Sequence, residues 1–134
     1  MKEILKKWVE EKKEVEIIRN DHIIETIRGK LFFTDENNIH VQEEDCCTKT
    51  IFPWTKVETI REVPGIPPEM DALFKMPYVR IFFNGPLKTI ATGFLKKKCE
   101  DGIVTIYHNG VTSIHPINSI GTIVLICENT GLDI

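Results

Sequence analysis

The feature of the sequence that most constrains its fold is an internal repeat with a spacing of 64 residues. The segments TIRGKLFFTDENNIHV (26–41) and IATGFLKKKCEDGIVT (90–105) share a glycine, a hydrophobic stretch, a polar turn and an Ile-led strand. The aligned pairs at this spacing are Val15 and Val79, Ile17 and Ile81, Asn20 and Asn84, Ile23 and Leu87, Gly29 and Gly93, Leu31 and Leu95, and Ile39 and Ile103. A repeat of this length indicates a duplicated supersecondary unit.

The repeat continues after one deletion near Lys49, which changes the spacing to 63 residues. The aligned pairs beyond the deletion are Thr50 and Ser113, Ile51 and Ile114, Pro53 and Pro116, Val57 and Ile120, and Ile60 and Ile123. Because turns fall on turns with a single gap, the duplication extends over most of the chain.

Each unit is predicted to contain five β-strands. Ile, Val and Thr dominate both units, and these β-branched residues favour pleated strands. Turn-forming segments such as TDENN (34–38) and NGP (84–86) separate the apolar runs. The predicted strands are 15–19, 23–33, 39–44, 50–53 and 56–63 in the first unit, and 78–83, 87–98, 103–108, 111–116 and 119–127 in the second.

Five short strands leave unpaired edges unless the sheet closes on itself, so each unit is predicted to form a small closed cylinder. A long second strand has to bend sharply to serve both sides of such a cylinder. Glycine permits that bend, so Gly29 and Gly93 are predicted to be structural. The predicted fold class is all-β with an N-terminal α-helix and two tandem five-stranded barrels. One sheet continuous through both halves would contradict the two closed cylinders.

The chain divides at composition changes. The opening segment MKEILKKWVEEKKEV places its apolar residues on one helical face. The segment PGIPPEM (64–70) holds three prolines and a glycine, which indicates a linker. The predicted organisation is a helix plus first barrel at 1–63, a Pro-rich linker at 64–77, a second barrel at 78–127 and a C-terminal tail at 128–134.

Composition restricts the classes of function. The chain has 17 Lys and Arg against 20 Asp and Glu, a formal net charge of −3, without the basic stripe of a non-specific nucleic-acid binder. No apolar run approaches the roughly 20 residues of a membrane-spanning helix, and no signal-peptide pattern follows Met1. The four cysteines have no Cys-x-x-Cys spacing and are expected to be free thiols. A cytoplasmic protein with no membrane partner is expected.

The segment VEIIRNDHIIETIRGKLFFTDENNIHVQEE (15–44) resembles the first motif of Sm-like (LSm) proteins, in which a helix precedes five bent strands. The matching positions are Gly29, Leu31, Asp35 and Asn37 or Asn38 in the first repeat, and Gly93, Leu95 and Asp101 in the second. One residue is missing before the asparagine of the first repeat, and the second repeat has no asparagine in that turn. The resemblance implies two tandem Sm-like barrels.

The same resemblance implies how the barrels bind and assemble. It places the turns DENN (35–38) and CEDG (99–102) at one end of the barrels, where Sm-like proteins contact bases. RNA-binding members usually carry an Arg-Gly or Lys-Gly pair between the fourth and fifth strands, whereas this chain has FPWT (52–55) and HPIN (115–118), a turn equally typical of other SH3-like barrels. Sm-like barrels assemble by pairing the fourth strand of one with the fifth of the next. In a tandem chain the two repeats would pair in this way internally and leave one free edge at each end. Three chains would then resemble a hexameric ring, and a dimer or trimer is expected.

Three groups of residues are candidates for ligand binding, and each has a structural alternative. The DENN turn is predicted to read base edges, or else to be a solvent turn held by Asx hydrogen bonds. The tryptophan after Pro53 would stack on a base, or else fill a barrel end. The KKKCED segment would meet a small anionic ligand, or else its lysines protect an edge strand. The candidate residues are Asp35, Asn37, Asn38, Trp54, Lys96, Lys97, Lys98 and Asp101.

The sequence predicts neither catalysis nor a cofactor. The acidic run at 43–45 has no accompanying Ser/His pair or Gly-rich phosphate loop. Cys46 and Cys47 lie among acids, which disfavour the reactive thiolate. His22, the other histidines and the cysteines match no zinc spacing. The chain is therefore predicted not to be an enzyme and to hold no metal.

The predicted function is recognition without chemistry. The ligand is expected to be of nucleotide type, either a small nucleotide messenger or a short RNA, bound at the barrel loops or between subunits. A protein that only sequesters a small nucleotide, as some phage-encoded inhibitors of bacterial defence do, is an analogy for this size and composition. The alternative is a structural or adaptor protein whose barrels mediate protein–protein assembly.

Overall fold

A computed structural model describes residues 1–21, 23–43, 48–63 and 69–127 of the chain. The helices and strands are α1 (Lys2–Glu10), β1 (Glu14–Asn20), β2 (Ile24–Thr34), β3 (Asn38–Glu43), β4 (Lys49–Pro53), β5 (Val57–Glu62), α2 (Met70–Phe74), β6 (Tyr78–Phe83), β7 (Ile90–Cys99), β8 (Gly102–Ile106), β9 (Thr112–Pro116) and β10 (Ile120–Cys127). The predictions for His22, Cys46, Cys47, linker residues 64–68 and the tail 128–134 lie outside the described residues.

The two units, β1–β5 and β6–β10, have equivalent elements at the spacings of the sequence repeat. A 3₁₀ turn follows the fourth strand in each, at Trp54–Lys56 and at Ile117–Ser119. The second and third strands of each unit shift register at the same place, after Leu31 in β2 and after Leu95 in β7. The duplication that the sequence indicates is therefore present in the backbone, including this register shift between the second and third strands.

All ten strands form one antiparallel sheet in the order β10-β6-β7-β8-β9-β5-β1-β2-β3-β4. Within each unit the fifth strand lies beside the first. The units join where β5 of the first pairs with β9 of the second, through Ile60 opposite Ile114 and Arg61 opposite Ser113. This is the internal pairing of a fifth strand with a fourth strand that the sequence offered as one possibility.

The mostly-β class with an N-terminal helix is confirmed, but the two separate closed cylinders are not. Among the residues that the structure describes, the sheet is continuous through both units and has β4 and β10 as its outermost strands. The physical reason is that the fourth strand of the second unit uses its outer hydrogen-bonding edge for β5 of the first unit. It therefore does not close against its own fifth strand.

The first unit has the larger hydrophobic core. Its members in the strands of the first unit are Val15, Ile17, Ile27, Leu31, Ile39, Val41, Phe52, Val57 and Ile60. The same cluster includes Met1, Leu5 and Trp8 at the N-terminal helix and Val104 and Ile114 of the second unit. The second unit buries a smaller cluster of Val79, Ile81, Phe83 and Ile103. The buried side chains of α1, Leu5 and Trp8, belong to the cluster of the first unit, so α1 packs over the first unit by its apolar face.

Candidate functional site

A surface cavity of about 780 Å³, here called the loop groove, lies between α1 and the turns of both units. Its apolar lining comes from Met1, Leu5, Val9, Phe33, Trp54, Pro116 and Ile117. Its polar lining comes from Lys2, Lys6, Glu10, Thr34, Asp35, Glu36, Asp101 and Asn118. The volume lies in the range of small-molecule sites, which combine apolar walls with a few polar groups.

Asp35 organises the turn between β2 and β3. Its Oδ1 accepts hydrogen bonds from the backbone N–H groups of Asn37, at 2.8 Å, and Asn38, at 2.7 Å. These two bonds hold the pKa of the Asp35 carboxyl below its ordinary value. The turn therefore has the Asx hydrogen bonds that the sequence offered as the structural alternative, and it presents an anionic side chain to the loop groove.

Trp54 belongs to both the first core and the loop groove. Its indole Nε1–H donates to the backbone oxygen of Asp35 at 2.9 Å, and its backbone N–H donates to the oxygen of Asn37 at 3.0 Å. The half-buried ring packs against the core of the first unit while lining the groove. The indole bond orients the ring against the β2–β3 turn, so Trp54 forms an aromatic wall of the groove.

Asp101 closes the groove from the second unit. Its Oδ1 lies 3.5 Å from the amino group of Met1, and its backbone oxygen accepts the N–H of Ile117 at 2.8 Å. The Met1 amino group also donates to Sγ of Cys99 at 3.2 Å. These contacts attach the start of α1 to the β7–β8 turn, so the helix bridges the two units above the groove.

The other sequence-predicted residues lie outside the lining. Asn37 and Asn38 belong to the turn beside it. Lys96, Lys97 and Lys98 are exposed on β7, where the Nζ of Lys97 is 3.9 Å from Oε2 of Glu3. β7 pairs with β6 through residues 90–94 and with β8 through residues 94–99, so the lysine run is paired along β8 and lies beyond the segment that pairs with β6. The structure thus brings together Asp35, Trp54 and Asp101 and leaves the lysine run apart.

Two cations of the groove were missed in the sequence. Lys2 and Lys6 lie one helical turn apart on α1, and both line the groove. Residues four apart share a helix face, so the spacing was readable. What the sequence did not contain was the position of α1 over the turns of both units, which depends on tertiary packing.

No described helix is long and apolar enough to cross a membrane. Across the residues that the structure describes, no group of three or more His, Cys, Asp or Glu side chains is arranged to hold a metal ion. Comparisons of the chain with family models, curated proteins and solved structures find no match.

Proposed function

We propose that this chain is a non-catalytic binding protein that takes a nucleotide-type ligand in the loop groove. The observation that carries the proposal is the meeting of Asp35, Trp54 and Asp101, from turns far apart in sequence, around one cavity with an aromatic wall. The two acidic residues come from equivalent turns of the repeat. The Sm-like resemblance predicted these turns as the base-contacting end of each unit.

The chemistry of the groove suits a small ligand better than a polymer. The ring of Trp54 and the exposed ring of Phe33 offer apolar surface to a base. Lys2 and Lys6 offer two point charges to a phosphate. Two lysines beside several carboxylates provide too little positive charge for tight binding along a nucleic-acid backbone. A small nucleotide messenger is therefore the favoured ligand and a short RNA stretch the second.

The groove is tested by the fluorescence of Trp54. The chain has two tryptophans, so the variant Trp8→Phe leaves Trp54 as the single reporter. We expect cyclic nucleotides, or failing these short oligo-U or oligo-A, to quench it saturably. In a Trp8-containing background, Trp54→Ala is expected to weaken binding about 10- to 100-fold, measured by calorimetry, because one base loses its stacking partner.

The matched control is Lys96→Ala combined with Lys98→Ala, which removes two cations outside the groove. These changes are expected to leave affinity unchanged, whereas Lys2→Ala with Lys6→Ala weakens it. Equal affinity of Trp54→Ala and the parent protein, with both folded by circular dichroism, would show that the ligand binds elsewhere. Absence of binding by every nucleotide and oligonucleotide would favour the assembly function described next.

A second candidate function, assembly of copies through the sheet ends, is favoured by the junction between β5 and β9. Ile60 and Ile114 face each other there, and both are 0% exposed. The repeat makes Ile123 of β10 equivalent to Ile60, and Ile51 of β4 equivalent to Ile114. We infer that β10 of one copy pairs with β4 of the next, with Ile123 opposite Ile51.

The exposed surface of the end strands supports this inference. Ile51 is 56% exposed and Ile123 is 39% exposed, although their equivalents are fully buried. Val124, Leu125 and Ile126 extend the apolar surface of β10. Unpaired, apolar end strands promote edge-to-edge association. Head-to-tail pairing would make each unit an Sm-like module of a larger assembly, with dimers and trimers as the expected species.

Light scattering combined with native mass spectrometry tests the assembly. We expect the parent protein to be a dimer or trimer and Ile51→Lys to shift it to monomer, because a buried unpaired charge opposes pairing. Ile23→Lys changes an isoleucine of similar exposure that lies in neither end strand, and it is expected to leave the mass unchanged. A parent protein that remains monomeric at high concentration would rule the inference out.

A further inference from the structure

Three positions of the buried core of the first unit carry smaller or polar residues in the second unit. At the repeat spacing the replaced pairs are Ile27 and Ala91, Val41 and Thr105, and Phe52 and His115. All three first-unit residues belong to its buried hydrophobic cluster. Where the first unit is filled by side chains, the second has a small residue, a hydroxyl and an imidazole. The two copies therefore differ in the size and polarity of the side chains at these core positions.

A cavity of about 600 Å³, here called the inner cavity, lies at these positions. Ala91, Thr105 and His115 all line it, and β1 and β5 of the first unit complete its wall. The exposed side chains of Ile90 and Tyr107 are also part of its lining. The cavity is thus a concave site between the two units, separate from the loop groove in every residue that lines it.

His115 is the polar centre of the inner cavity. It is 3% exposed, and its ring lies between two hydroxyls: Oγ1 of Thr59 is 2.9 Å from Nδ1, and Oγ1 of Thr105 is 2.9 Å from Nε2. Burial lowers the pKa of His115 to about 4, so the ring is neutral at pH 7. A neutral imidazole has one N–H donor and one acceptor nitrogen.

The neutral ring gives its two hydroxyl neighbours opposite roles. The threonine that accepts the ring N–H keeps its own proton available as a donor. The threonine that donates to the other ring nitrogen keeps its lone pairs available as acceptors. In either tautomer, the Thr59–His115–Thr105 chain therefore offers one donor and one acceptor to a ligand, at positions fixed by two 2.9 Å contacts.

A β-bulge adds a carboxylate to the same wall. The register between β1 and β5 shifts so that Ile18 faces Thr59 and Arg19 faces Val57, which leaves Glu58 as the extra residue. Both Glu58 and Thr59 consequently line the inner cavity, although neighbours on a regular strand point to opposite faces. The bulge thus places the buried side chain of Glu58 in the wall of the inner cavity.

Glu58 differs from the other carboxylates of the cavity. Glu16 lies 3.3 Å from Arg61, and Glu62 lies 3.3 Å from Lys13. Glu58 accepts instead from uncharged groups, the Asn20 amide at 2.9 Å and the Thr89 hydroxyl at 3.0 Å. Its desolvation raises its pKa. A ligand that brings N–H donors would compensate that desolvation, whereas a phosphate would place a second negative charge beside the buried Glu58 carboxylate.

We propose that the inner cavity binds a small planar nitrogen base with an amidine-type N–H edge and no phosphate, with Glu58 accepting from that edge and the Thr59–His115–Thr105 chain reading a neighbouring donor and acceptor. The apolar faces of Phe83 and Tyr107 contact the planar body. An amidine edge occurs both in free amidines and in guanine, so the chemistry is shared by two sources. This site is independent of the nucleotide proposed for the loop groove.

Calorimetric titration with benzamidine and with guanosine tests the site and separates the sources. We expect saturable binding of at least one probe to the parent protein. Glu58→Gln is expected to weaken it about tenfold or more, because a hydrogen bond to a charged acceptor is lost. Glu14→Gln is the matched control, since Glu14 pairs with Arg28 and lies outside the cavity lining; its affinity should equal that of the parent.

A second set of variants refills the cavity with the residues of the first unit. Ala91→Ile combined with His115→Phe is expected to abolish binding of both probes, and Trp54→Ala is expected to leave it intact. Ala91→Ile alone, which keeps all polar groups, should weaken binding by occupying volume. Failure of both probes to bind the parent protein overturns the proposal, as does undiminished binding by a folded Ala91→Ile/His115→Phe variant.

Discussion

Lowering the pH from 6.5 to 4 is expected to reduce the free energy of unfolding by about 3 kcal/mol through His115. Burial lowers the pKa of this ring from 6.5 to about 4. Between these values the unfolded chain binds a proton and the folded chain does not. The contribution of the neutral ring to stability is therefore complete above pH 6.5 and is lost as the pH falls to 4.

Urea unfolding between pH 4 and pH 7 measures this effect. The variant His115→Phe restores the residue type that the first unit has at Phe52, and it is expected to flatten the dependence over the window. His115→Gln is the second variant, because it keeps a neutral hydrogen-bonding side chain between Thr59 and Thr105. Parallel curves for the parent and both variants would show that His115 does not stay neutral in the folded protein.

Glu58 changes the free energy of unfolding with pH in the opposite direction to His115. Its own variant therefore separates the two effects. Its pKa is raised, so the folded chain holds this proton to a higher pH than the unfolded chain does. The stability that it contributes therefore falls as the pH rises above 4.5. The pKa of Asp35 is lowered from 3.8, which places its effect below the window. Comparing Glu58→Gln with and without His115→Phe isolates the histidine.

The backbone of each unit was readable because its signals are local. Turn chemistry at Asp35 and Asn109 separates apolar runs of alternating residues, and the repeat doubles each signal. Asp35 shows the extent of this, since its two Asx hydrogen bonds depend only on neighbours in sequence. Closure of the sheet depends on which strand edges pair. The fourth strand of a unit can pair with the fifth strand of its own unit or with that of the other unit, and local sequence signals do not decide between the two.

The residues of the loop groove were predictable only where the repeat places equivalent turns at the same end of both units. Asp35, Trp54 and Asp101 meet because equivalent turns lie together once β5 pairs with β9. The lysine run at 96–98 lies in the predicted second strand of the second unit but outside the loop groove, because a run of charge does not indicate where a cavity forms. The inner cavity had a readable signal in the replacement of Phe52 by His115. Its significance depended on knowing that position 52 is buried.

Gly29 and Gly93 were predicted to have the same structural role, and the structure separates them. A Cβ at position 29 would lie 2.3 Å from the backbone oxygen of Gln42 and 2.7 Å from Cγ1 of Val41. A Cβ at position 93 would lie 3.2 Å from the nearest atom, Cβ of Thr105. The difference arises because position 29 faces the backbone of β3, whereas position 93 faces the side chain of Thr105, which lines the inner cavity.

Gly29→Ala is consequently expected to lower the free energy of unfolding by about 3 kcal/mol or more, since the added methyl must displace the backbone of β3. Gly93→Ala is the matched control and is expected to cost less than about 1 kcal/mol, because a side chain can move by a few tenths of an ångström. Chemical denaturation of both variants at pH 7 makes the comparison. Equal losses would mean that the glycines serve one shared bend, as the repeat alone suggested, and that the close approach of β2 to β3 has no energetic weight.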